Sequence, residues 1–70
     1  MEESVIKAFG MRIRTLRKER GWTQEYLAEL TDLHPTYIGR VERGERNLSL
    51  SNISVLADSF DLSLKELFDY

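Results

Sequence analysis

One short pattern recurs four times along this chain: an apolar residue, a capping residue, and a second apolar residue four positions after the cap. Trp22-Thr23 leads to Leu27, Leu33-His34 to Ile38, Leu48-Ser49 to Ile53, and Leu62-Ser63 to Leu67. A cap of this kind accepts a hydrogen bond from a free N–H of the first helical turn, and the apolar pair packs together to set the angle at which the chain enters the helix. Each occurrence therefore predicts a helix start. Pro35 supports the second, because its missing N–H costs nothing at the first helical position. Glu66 completes a capping box with Ser63 in the fourth.

A further helix precedes these. Ile6, Phe9, Ile13 and Leu16 keep the three-four spacing of one helix face, which predicts a helix from about Val5 to Arg20, capped by Ser4 and stopped by Gly21. Period-two alternation is never sustained and no hairpin turn separates apolar runs, so strands are not expected. The fold class is all-α, a single domain over residues 1–70. Its expected core is Ile6, Phe9, Ile13, Leu16, Leu27, Ala28, Leu33, Ile38, Val41, Leu50, Ile53, Leu56, Ala57, Phe60, Leu64 and Leu67.

Seventy residues allow one small core. Cysteine is absent and His34 is the only histidine, so neither a disulfide framework nor a metal site is expected, nor any cofactor. There is also no glycine-rich phosphate loop, which argues against an enzyme. Apolar residues are scattered rather than gathered into a span, and Met1-Glu2-Glu3 is an acidic start unlike a signal peptide. A cytoplasmic protein with no membrane partner is expected. The net charge of −2 does not suggest a nucleic-acid partner, but its distribution does. Lys7, Arg12, Arg14, Arg17, Lys18 and Arg20 crowd the first third, where they read as a solvated face. Arg40, Arg43 and Arg46 form a second basic set, and the last third is acidic.

The second and third helices, about Gln24 to Thr31 and Pro35 to Arg43, are short and joined by a few residues, which forces a steep crossing of the helix-turn-helix kind. Ala28 is small enough for that crossing, Leu33 plugs the turn, and Ile38 and Val41 anchor the second helix. Pro35, Thr36, Tyr37 and Arg40 then share an outward face near its N-terminus, where this motif reaches base edges. Trp22 is expected to pack against Leu27.

Gln24-Glu25-Tyr26-Leu27-Ala28, Ile38 to Gly44 and Leu62 to Phe68 resemble the Cro/C1-type (XRE-like) helix-turn-helix family over almost the whole chain. Thr36-Tyr37-Ile38 followed by Glu42 to Asn47 resembles, within that family, the controller proteins of restriction–modification systems. The resemblance implies a compact five-helix domain of the lambda-repressor type. It implies base contacts by Thr36 and Arg40 and backbone contacts by Gln24, Thr23, Arg43, Arg46 and Asn47; beside the base readers, Pro35 offers an apolar contact to a thymine methyl, and Tyr37 either contacts the DNA or covers the helix joint. It also implies a partly buried salt bridge between Arg17 and Glu42. Two positions depart from the family pattern: Asp32 stands where glycine is usual, and Pro35 replaces a polar base reader.

The expected function is a sequence-specific regulator of transcription that binds a palindromic operator on double-stranded DNA as a homodimer. The helix-turn-helix covers about residues 24–43 and the dimerisation region about residues 48–70, with Leu62, Leu64, Phe68 and Tyr70 supplying the surplus apolar area of an interface. The same end offers a surface to RNA polymerase, and no small-molecule effector is expected. The alternative is a helical interaction module, antitoxin-like or adaptor, that does not read DNA.

Overall fold

The structure is a computed structural model, and it describes residues 2–70; Met1 and the side chains of Glu2 and Glu3 lie outside the described residues, and with them the acidic start. Five helices follow one another: α1 (Glu2–Glu19), α2 (Gln24–Thr31), α3 (Pro35–Glu42), α4 (Leu50–Ser59) and α5 (Leu64–Leu67). No strand occurs among the described residues.

All four capping residues of the recurring pattern sit at helix starts. Thr23, Ser49 and Ser63 each accept from the backbone N–H three residues on, and Ser63 and Glu66 form the reciprocal capping box. His34 caps α3 through Nδ1, which accepts from the Thr36 N–H at 3.0 Å. The ring must therefore be in the tautomer that leaves Nδ1 unprotonated. α1 begins earlier than expected, at Glu2, so Ser4 lies inside the helix and is not its cap. No glycine or proline interrupts residues 2–5, and glutamate is a good helix former, so nothing stops the helix there.

The helix ends share a second device. Gly21, Asp32, Gly44 and Asp61 all adopt left-handed backbone, with φ of 70°, 57°, 74° and 58°. The residue after each donates its N–H to a carbonyl five positions back: Trp22 to Arg17, Leu33 to Ala28, Glu45 to Arg40 and Leu62 to Ala57. This closure satisfies carbonyls that the helix end would otherwise leave unpaired. Trp22, Leu33 and Leu62 are also the apolar residues that precede the next cap. One residue thus ends one helix through its backbone N–H and precedes the cap of the next, which is why these connections are so short. After α3 the two jobs are divided between Glu45 and Leu48, and the connection is longer.

The core is built from every helix: Ile13, Leu27, Ile38, Val41, Leu56 and Leu67 are fully buried, with Phe9, Leu16, Ala28, Ala57 and Phe60 around them. Ile6 is half-buried, and Leu33 and Ile53 pack against this cluster from its edge. Leu50 and Leu64 correct the expected list, being 78% and 45% exposed. Each is the first residue of its helix, a turn ahead of Ile53 or Leu67, which packs inward. Trp22 stacks on Phe60, with ring centroids 5.6 Å apart, and meets Tyr26 edge-on.

The basic run of α1 is not simply a solvated face. Arg12 donates from Nε to the Leu67 carbonyl and from Nη2 to that of Glu66, both at 2.9 Å, capping the end of α5. Arg20 bonds the carbonyls of Leu16 and Phe60, with its guanidinium over the Phe60 ring. Cations at a helix C-terminus complement the partial negative charge there. α1 is therefore tied along its length to the segments that surround the helix-turn-helix.

Candidate nucleic-acid interface

α2 and α3 pack on each other, and α3 packs on α1. Burial divides α3 sharply. Ile38, Gly39, Val41 and Glu42 are buried, while Pro35, Thr36 and Arg40 are exposed. Thr36 and Arg40 lie four residues apart, so they occupy one face of the helix.

The buried end of α3 is held by a polar network. The Glu42 carboxylate accepts from Arg17 Nε at 2.7 Å, Arg17 Nη2 at 2.9 Å and Gln24 Nε2 at 3.1 Å. Arg17 Nη1 donates to the Trp22 carbonyl at 2.8 Å. Only 3% of the Glu42 side chain is exposed, and its charge is met by three donors from two other helices. Its hydrogen bond to Glu42 raises the Arg17 pKa above the ordinary value, so the guanidinium stays charged. A buried carboxylate is costly unless it is paired and hydrogen-bonded in this way. The network fixes α1, the start of α2 and the end of α3 as one unit.

Of the two glycines at this junction, only Gly10 is required by close backbone. A Cβ on Gly39 would meet the flexible end of Arg43, Nη1, at 3.2 Å and Gln24 Oε1 at 3.5 Å, an ordinary contact. A Cβ on Gly10 would lie 2.9 Å from the Glu42 carbonyl oxygen and closer still to that of Val41, so α1 and α3 touch through their backbones. A glycine within a well-formed helical pattern was the available signal.

Tyr37 is half-buried at the edge of the open face and packs against the core cluster. Its hydroxyl accepts from Asn52 Nδ2 at 3.0 Å, and the Arg46 guanidinium lies 5.3 Å from its ring centroid. Tyr37 therefore ties the first turn of α3 to the first turn of α4 and to the loop between them. The reason is periodicity: Tyr37 lies four residues before the buried Val41 and shares its side of the helix, turned away from its neighbour Thr36.

The remaining residues are spread around this face. Thr23 is exposed and its hydroxyl is occupied in capping α2, while Gln24 is half-buried beside it. Arg43 and Arg46 are exposed, and Arg43 is paired with Glu45. Asn47 is exposed at the rim of an apolar groove of about 210 Å³, lined also by Val5, Ile6, Phe9, Leu48, Ile53 and Phe68. In the C-terminal third, Leu64, Phe68 and Tyr70 are exposed, whereas Leu62 packs against the core. No group of acidic or histidine side chains suited to a metal occurs among the described residues. No helix there is long and apolar enough to cross a membrane.

The sequence profile of the helix-turn-helix family matches residues 13–67, most of the chain and the whole of α2 and α3. The chain belongs to this family. Within it, the control protein C.BamHI of Bacillus amyloliquefaciens is 38% identical over 71 residues, covering 100% of this chain and 88% of that protein. The crystal structure of the restriction–modification controller protein C.AhdI from Aeromonas hydrophila superposes with a TM-score of 0.89 at 48% identity, over 93% of this chain and 98% of that one. The biofilm regulator SinR, solved in complex with DNA, has a TM-score of 0.79 at 31% identity, over 87% of this chain and 98% of its own. This helix-turn-helix chain thus stands among transcription regulators that include controller proteins, and these relatives are regulators rather than enzymes.

Proposed function

We propose that this chain is a sequence-specific, DNA-binding regulator of transcription in the cytoplasm. It binds a palindromic operator as a homodimer, with α3 in the major groove, and controls a restriction–modification system. The observation that carries this reading is the division of α3. Thr36 and Arg40 stand together on its open face, while Glu42 locks the opposite face to α1 and α2.

In this reading Thr36 and Arg40 contact base edges, and Pro35 offers an apolar contact to a thymine methyl. Gln24, Thr23, Arg43, Arg46 and Asn47 contact the backbone. Tyr37 supports this set from behind, through Asn52 and Arg46. Residues 24–43 form the reading unit and residues 48–70 the dimer-forming unit, within one domain. Leu64, Phe68 and Tyr70 supply the exposed apolar area for the partner copy, with Leu62 supporting them from the core side. A two-fold dimer puts two recognition helices in successive major grooves, about 34 Å apart. The acidic and apolar C-terminal end also offers a contact for RNA polymerase, and the protein's own concentration, rather than a small-molecule effector, sets occupancy.

The test is the salt dependence of binding to a pool of random duplexes, with sequencing of the retained fraction. Enrichment of a palindrome with half-sites one helical turn apart is expected, and Arg40→Ala should cost about 1–3 kcal/mol of discrimination at one position of each half-site. Binding that is weak and enriches no sequence at any salt would instead make the motif a protein-binding scaffold.

A further inference from the structure

Arg43 ends α3 at the edge of the reading face, and its guanidinium is already occupied. Nε donates to Glu45 Oε2 at 2.9 Å and Nη2 to Glu45 Oε1 at 3.3 Å. This is the two-pronged arrangement that arginine also offers to a phosphate. The side chains are 57% and 51% exposed, so the pair stands open to solvent on one side. The backbone that presents Glu45 is fixed: its N–H bonds the Arg40 carbonyl at 2.9 Å, and Gly44 before it takes left-handed backbone close against Lys7.

Glu45 is one of two carboxylates on this stretch of chain. The other carboxylate between Pro35 and Ser49 is Glu42, which is turned inward onto Arg17. The bond from Arg43, and then the charges of Arg43 and Arg40, hold the Glu45 carboxyl below its ordinary range, so it remains an anion at neutral pH. An exposed pair of this kind is weak, and it can be exchanged for another anion.

We propose that Glu45 is an intramolecular stand-in for the DNA phosphate: it occupies Arg43 in the free protein and must be displaced before Arg43 can grip the backbone. This rests on the reading of α3 as the DNA-facing helix. Phosphate contacts supply affinity for DNA of any sequence, whereas base contacts supply discrimination. Glu45 therefore lowers the sequence-independent part of binding and leaves Thr36 and Arg40 untouched. It determines how much of the total must come from base readout.

The experiment compares the wild type with Glu45→Gln on a mixed-sequence duplex across a salt series. Glu45→Gln should bind several-fold more tightly at low salt, and its plot of log affinity against log salt should steepen by about 0.9, because no freed carboxylate then takes back a cation as the phosphate contact releases one. Its thermal midpoint should stay near that of the wild type, as expected for an exposed pair. In an Arg43→Gln background the same substitution should no longer change the slope. Equal or weaker binding by Glu45→Gln at unchanged slope would overturn the proposal. So would a gain that persists without Arg43, which would be a general charge effect. Loss of salt-dependent binding in the wild type itself would instead sink the DNA-binding reading, and the role of Glu45 with it.

Discussion

Gly10 of α1 and Val41 of α3 are in backbone contact, with no side chain between the two helices at that point. In an isolated helix, replacing glycine by alanine is favourable by about 1 kcal/mol. Here the added methyl has backbone carbonyls in its path, and these cannot move aside as a side chain would. Gly10→Ala is therefore expected to lower stability, by about 1–3 kcal/mol as for an overpacked core. Urea denaturation measures it, and a variant more stable than the wild type would mean that the helices are not in contact there.

Glu42 is expected to be the most sensitive polar residue. Glu42→Ala leaves the Arg17 guanidinium buried without its partner, a change that costs about 3–5 kcal/mol in comparable pairs. Replacing both at once, Arg17→Met with Glu42→Leu, should recover most of that loss while releasing Gln24, which bonds Glu42 at 3.1 Å. Thermal unfolding reads the first effect and DNA affinity the second. A double variant with intact DNA affinity would show that Gln24 does not need Glu42 in order to act.

Tyr37 separates structural from DNA-contact roles. Tyr37→Phe keeps the ring beneath Arg46 and removes the bond from Asn52. The expected cost is about 0.5–1.5 kcal/mol in chemical denaturation, and Asn52→Ala should match it without adding to it. Full stability in Tyr37→Phe, together with weakened DNA binding, would place the hydroxyl on the DNA instead.

Acid sensitivity should include the start of α5. The Glu66 carboxyl accepts from the Ser63 backbone N–H at 2.9 Å and is held below its ordinary value of 4.5, mainly by that bond. A carboxyl whose pKa falls on folding contributes stability above its ordinary pKa and loses it as pH falls through the lowered value. Glu66→Gln should therefore lower the neutral plateau slightly and meet the wild type in strong acid, flattening part of the decline below pH 4.5. An acid limb identical to the wild type would remove Glu66 from the account.

Much of this was legible because the relevant signals are local. Capping and stapling involve residues within five positions of one another, so Thr23, His34, Ser49 and Ser63 mark helix starts directly. Left-handed backbone at Asp32 is foreshadowed by the resemblance, which puts glycine there. The rest depends on residues far apart in sequence. Arg12 reads as one charge among several on a solvated helix, and only the return of α5 shows it as a cap. Gly10 carries no charge or apolar side chain to register in a pattern, though it sets the closest approach of two helices. Leu50 shows the converse: it is apolar and correctly spaced, and still faces outward because it begins its helix.

The Arg12 clamp also bears on how the protein is made. Its partners are carbonyls 54 and 55 residues downstream, and Leu67, which carries one of them, is fully buried in the core. During synthesis, α1 through α3 can form their local turns as they emerge. The core stays open on one side until residue 67 has left the ribosome, so the reading helix acquires its final support only after nearly all the chain described here has been translated.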